Sequence, residues 1–181
     1  WQVKRELAGA LVVGLVGERG VVGGDHLGGE VGGRAPLDDP ADGIDIAGSA
    51  MNWVMSAGVA PLTCRAPFAF RVIGRTDSTN LRMHFHRGEL IFNWECSVRE
   101  LRVHDPATAE QHGLKDKGFI STTDWHEIVW EIGLDRMRVI VDGEVRFEKE
   151  GDYSGIESTP SVGPCFGSTV SVREFSIAPL P

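Results

Sequence analysis

"WHEIVWEIGLDRMRVIVDGEVRF", residues 125–147, is the stretch that decides the fold. Ile128, Trp130 and Ile132 alternate with Glu127, Val129 and Glu131, the two-residue period of a strand with one apolar face. Asp142-Gly143 then separates "MRVIV" from "EVRF". A type I′ turn needs positive φ at both central residues, so Asp-Gly between apolar runs is a strong hairpin signal. The three segments form a meander. They hold no nucleophile, metal-ligand cluster or phosphate loop.

Upstream, "NLRMHFHRGELIFNWEC" alternates Leu81, Met83 and Phe85 with Arg82, His84 and His86. A tight turn at Arg87-Gly88 predicts Phe85 opposite Leu90, Met83 opposite Phe92 and Leu81 opposite Trp94. One face is then apolar. The other carries Arg82, His84, His86, Glu89, Asn93 and Glu95, with Ile91 the one apolar exception. Downstream, Val170 and Val172 share a parity that Phe175 and Ile177 do not, which predicts a β-bulge near Arg173-Glu174. That last strand is expected beside "PFAFRVIGR", with Phe68, Phe70 and Val72 facing the core. Phe85, Phe92, Trp94, Trp130 and Ile140 are expected to be buried, and Tyr153, in "EGDYSGIES", to be an exposed loop aromatic.

These patterns give an all-β fold, an antiparallel two-sheet β-sandwich spanning residues 47–181. Residues 1–46 are glycine-rich and include the acidic, turn-forming "PLDDPADGID". Within them "VKRELAGALVVGLVG" reads first as a structural strand or helix, with a short signal-like run or a foreign leader as the alternatives, and edge strands are one expected contribution. Its apolar part is too short to span a bilayer as a helix. The chain opens on Trp1 rather than Met, which suits a fragment or a trimmed chain.

The 181 residues carry 41% hydrophobic and 24% charged residues, enough for a packed core. A formal net charge of −8 with no basic cluster argues against a nucleic-acid partner. No membrane partner is expected. The three cysteines, Cys64, Cys96 and Cys165, lack CxxC spacing, so zinc is not expected. Their odd number leaves at least one thiol unpaired in the monomer and favours a reducing compartment, with secretion the alternative.

The residues of 125–147, with Trp125-His126, Asp135-Arg136 and Val141-Asp142-Gly143, resemble a signature of the concanavalin A-like lectin/glucanase superfamily. The match is closest to family 16 glycoside hydrolases and laminin G-like domains, and "VSVREFSI" is similar to their final strand. The resemblance covers roughly residues 47–179 and implies a jelly roll with a carbohydrate as partner. It speaks to fold more than to function, because the same stretch serves hydrolases, lyases, lectins and binding modules. It also implies room for a structural calcium, for which Asp38, Asp39, Asp42 and Asp45 would be the place. Their spacing is not that of an EF-hand, and Asp beside Pro and Gly forms turns, so no cofactor is expected.

Family 16 hydrolases that retain configuration carry a Glu-x-Asp-x-x-Glu strand, which this chain lacks. Glu127 and Glu131 share a strand face but stand about 13 Å apart along the backbone. A retaining pair needs about 5 Å. The other near pair is Glu89 with Glu95. The sequence therefore reads as a non-catalytic glycan-binding domain, with a hydrolase or lyase of unfamiliar catalytic residues, or a structural or sensory module, as alternatives. The expected ligand face is the concave sheet: Arg71, Arg82, His84, His86, Asn93, Glu95 and His104, with Trp125 for stacking. His-x-His at 84 and 86 could also chelate a metal or serve as acid and base, and His104 would join them beside Arg82 and Glu95 if the strand at Leu101–Val103 adjoins the hairpin. Trp53 is a further rim candidate.

Overall fold

The alternating runs become strands that pair in two main sheets. The computed structural model describes residues 4–5, 11–14, 44–47 and 63–181. Among these are fifteen strands and no helix. The first four are β1 (Lys4–Arg5), β2 (Leu11–Gly14), β3 (Ile44–Ala47) and β4 (Cys64–Arg65). Then come β5 (Phe68–Thr76), β6 (Leu81–Phe85), β7 (Gly88–Phe92), β8 (Leu101–His104) and β9 (Gln111–Leu114). The chain continues through β10 (His126–Ile132), β11 (Arg136–Val141) and β12 (Glu144–Glu150). It ends with β13 (Glu157–Ser158), β14 (Ser161–Gly163) and β15 (Thr169–Pro179).

The larger sheet runs β1-β2-β15-β5-β10-β11-β12, with β3 also paired to β15. The smaller one runs β14-β6-β7-β8-β9, and β13 pairs with β4. Every pairing is antiparallel. The opening stretch folds as its pattern dictates. Trp130 lies opposite Val139, and Asp142 and Gly143 both take positive φ in the turn. The last strand lies beside β5, with a register shift between Val172 and Glu174 where the parity changes.

The core fills the space between the two sheets. Phe70 packs on Phe175 with ring centroids 4.8 Å apart, and Phe68 meets Phe85 edge-on at 4.9 Å, joining the larger sheet to the smaller. Phe85, Phe92 and Trp130 are fully buried, as their parity requires.

Four expectations are corrected. The first hairpin turns at His86-Arg87, one residue early, so Phe85 faces Gly88, Met83 faces Leu90 and Leu81 faces Phe92. A slip of two residues keeps every side chain on its own face. Gly88 is needed for a different reason: a Cβ there would stand 2.8 Å from Pro106 and 2.9 Å from the carbonyl oxygen of His104. Trp94 lies beyond β7 and is half-buried, because the strand ends at Phe92. Ile140 faces outward opposite Val129, since Met137, Val139 and Val141 hold the inner parity.

Tyr153 is the fourth. It is fully buried, and its hydroxyl donates to Asp105 Oδ2 at 3.1 Å. The same carboxylate accepts from Lys149 Nζ at 2.8 Å and from the backbone N–H groups of Ala107 and Thr108. Burial raises the pKa of Asp105, but these hydrogen bonds outweigh it and hold the group below its ordinary value. One buried carboxylate thus ties the loop after β8 to β12 and the loop that follows it.

Candidate functional site

The outer face of the smaller sheet is laid out in two rows. Directly opposed residues share a face, so one row reads Gly163, Arg82, Ile91, Arg102, Gly113. The next reads Ser161, His84, Glu89, His104, Gln111. Neighbouring strands stand about 4.8 Å apart, which brings several polar groups within the width of one sugar ring.

Arg82 is the centre of this face and is wholly buried. Its Nε and Nη2 donate to Asn80 Oδ1 at 3.1 and 2.8 Å, which fixes the plane of the guanidinium. Nη1 donates to Glu89 Oε1 at 3.1 Å, and Nη2 stands 3.6 Å from Glu95 Oε2. The ring of Phe166 lies 5.7 Å from the guanidinium carbon. Two carboxylates therefore share one cation, and the cation is out of solvent while the carboxylates reach it.

The flanks add a second cation and two imidazoles. Arg102 sits 4.2 Å from the ring of Trp94, donates to Glu100 at 3.0 Å and reaches Gln111 at 3.5 Å. Gly113 makes room for Glu100, because a Cβ there would lie 2.5 Å from its carboxylate. His104 Nδ1 is 3.9 Å from Glu89 Oε2. Burial lowers the pKa of His104; Glu89 opposes this, while Arg102 and Arg82 reinforce it. Burial also lowers His84, with Glu89 opposing and His86 reinforcing. Both rings are neutral at physiological pH.

The structure brings together Arg82, His84, Glu95 and His104 from the expected ligand set. It separates the other four. Arg71 points outward from the larger sheet, where it pairs with Glu127 and Glu174. Trp125, in the loop just before β10, packs on that sheet too, with Arg75 4.7 Å and Arg173 4.3 Å from its ring. His86 occupies the hairpin turn with φ 55°, and its Nδ1 donates to the carbonyl oxygen of Pro106 at 2.8 Å. The two histidines of His-x-His therefore do not aim at one point.

Asn93 is buried with φ 49° and clamps Ile120 through its amide at 2.9 Å in each direction. Its work is to hold a loop. Arg82 lies opposite Ile91 rather than Asn93.

Glu89, Trp94, Glu100, Arg102 and Gln111 complete the face and were missing from the expected set. The alternation of the first hairpin already puts Glu89 on the polar side; carrying the same parity through β8 and β9 reaches Arg102 and Gln111. Asp38, Asp39, Asp42 and Trp53 lie outside the described residues, and of Asp45 only the β3 backbone is described. Among the described residues, no group of three His, Cys, Asp or Glu side chains could hold a metal ion. Among them, too, no helix is long and apolar enough to cross a membrane.

No protein-family model and no curated protein matches the sequence. Solved structures do match. A prokaryotic β-1,3-1,4-glucanase (lichenase) from a mouse hindgut metagenome superposes with a TM-score of 0.52 over 66% of this chain and 69% of that one, at 10% identity. A variant of human galectin-16 superposes with a TM-score of 0.51 over 67% of this chain and 94% of that one, at 12% identity. Both are concanavalin A-like jelly rolls, and this chain has that fold. At such identities the likeness is one of fold alone.

Proposed function

We propose that the protein recognises a carbohydrate on the outer face of its smaller sheet and does not cleave it. One observation carries the reading: carboxylates, neutral imidazoles, a guanidinium and an indole stand side by side on a sheet face and stay partly accessible. Glu89, Glu95, His84, His104, Arg102 and Gln111 supply donors and acceptors for sugar hydroxyls, and Trp94 supplies an aromatic surface. The same jelly roll serves a galectin and a lichenase, so carbohydrate recognition suits the fold whether or not chemistry follows.

A second reading is glycoside hydrolysis or elimination, favoured by the meeting of Glu89 and Glu95 on one guanidinium. Against it, Arg82 lies between the two carboxylates, where a substrate bond would have to sit, and it is buried. A glycan array run beside a reducing-sugar release assay tests both. Binding without release supports recognition. Release that Glu89→Gln abolishes replaces recognition by hydrolysis, and silence in both assays removes both readings.

A further inference from the structure

We infer that this face selects sugars carrying a protonated amine over neutral or acidic ones. The inference rests on the carbohydrate reading above and gives it a substrate class. It starts from the charges that meet at Arg82. One guanidinium serves both Glu89 and Glu95, at 3.1 and 3.6 Å. The second cation of the face, Arg102, is matched by Glu100 at 3.0 Å. Among the described residues, Arg82 is the one cation in ion-pair range of Glu95, and His104 and His84 are the further basic groups near Glu89. His104 and His84 are held neutral by burial, so neither cancels the remaining charge. Among the described residues, the centre of the face thus keeps one negative charge in excess.

Burial is what makes that excess effective. The side chain of Arg82 is 0% exposed, that of Glu89 16% and that of Glu95 24%. A charge half-withdrawn from water acts on a neighbour a few ångströms away several times more strongly than one in bulk solvent. Sugar hydroxyls satisfy the hydrogen-bonding capacity of the carboxylates and leave the charge. An ammonium group satisfies both, with three donors and a positive charge. A uronate or sulfate is repelled at the same place.

The test is an NMR titration of the uniformly labelled protein near pH 7, following the amides of residues 82–104. Glucose and galactose are compared with glucosamine and galactosamine, and with glucuronate and galacturonate; ethanolamine is the amine without a sugar. The amino sugars should bind about tenfold more tightly than their neutral counterparts, equivalent to about 1.4 kcal/mol. The acidic sugars should bind more weakly still. Glu95→Gln, checked for an unchanged unfolding midpoint, should bring the amine-to-neutral ratio close to one.

Equal affinity for glucose and glucosamine overturns this inference and leaves the carbohydrate reading standing. So does ethanolamine matching glucosamine, which reduces the effect to bulk attraction by an acidic protein. No shift with any sugar overturns both. An unchanged ratio in Glu95→Gln removes the assignment to Arg82 and its two carboxylates.

Discussion

The two outer faces of the sandwich repeat one ionic motif with opposite outcomes. On the larger sheet Arg71 is shared by Glu127 and Glu174, and on the smaller sheet Arg82 is shared by Glu89 and Glu95. The Arg71 side chain is 31% exposed and its partners 43% and 31%. Water and salt screen such a cluster, and pairs of this kind contribute about 0–1 kcal/mol. Arg75, Arg173 and the Arg138–Glu131 pair belong to the same sheet, so its charges form a solvated ladder. Arg82 is cut off from water by Asn80, Phe166 and its own carboxylates. The difference lies in desolvation, which leaves one face a field that a ligand can feel.

The sharpest way to break this contrast is to remove each arginine in turn. Arg82→Ala leaves two carboxylates facing each other in a half-buried site and removes the donors that satisfy Asn80. Deleting one partner of a buried ion pair costs about 3–5 kcal/mol. Arg71→Ala should cost less than about 1 kcal/mol. Urea unfolding of both variants measures the gap. If the two midpoints fall together, Arg82 is not the buried hub that its contacts describe.

A smaller effect separates the faces by pH. His84 and His104 have folded pKa values below the ordinary imidazole value of about 6.5, burial being the main cause. Their stabilising contribution is complete above that ordinary value and is lost as pH falls through the folded values. Asp105, also depressed, loses its contribution only at the acid end of the carboxylate range. Stability should therefore begin to fall below about pH 6.5, and a variant with both His84→Gln and His104→Gln should hold level until the carboxylates titrate. Thermal midpoints across the pH range read this directly. An undiminished fall in the double variant assigns it elsewhere.

Much of this contrast was legible in the sequence, and what was not has a physical cause. Period-two alternation fixes which face a residue takes, so Arg82, His84 and Glu89 were placed on one side of the hairpin correctly. Alternation is blind to slips of two residues, and the turn was misplaced because Gly88 resembles a turn glycine. Its role is to let Pro106 approach, a contact between distant loops that no local pattern carries. Parity also does not say where a strand stops: it continues through Asn93 and Trp94, although both lie beyond Phe92. The sheet to which Arg71 belongs is hidden from the sequence for a third reason: its strand alternates as well as β6 does, and only the pairing with β10 and β15 shows which sheet it joins. The burial of Tyr153 hangs on Asp105, a partner 48 residues away.

The smallest expected effect is also the most informative about where the site is. Glu127 and Glu131 look like a catalytic pair because they share a strand face near the most recognisable stretch of the chain. In the fold they lie on the outer face of the larger sheet, where Glu127 pairs with Arg71 and Glu131 with Arg138 at 2.5 Å. The sandwich core separates them from Glu89 and Glu95. Glutamine keeps the volume and the hydrogen-bonding capacity of either side chain, and Arg71 retains Glu174. Glu127→Gln should then shift stability by no more than about 0.5 kcal/mol, and the double variant with Glu131→Gln should bind glycans as the unaltered protein does. Isothermal titration with whichever sugar emerges from the array decides it. Loss of binding or of glycan release in Glu127→Gln would move the functional face to the larger sheet, and Arg71, Trp125 and the guanidinium groups against it would take the place assigned here to Arg82.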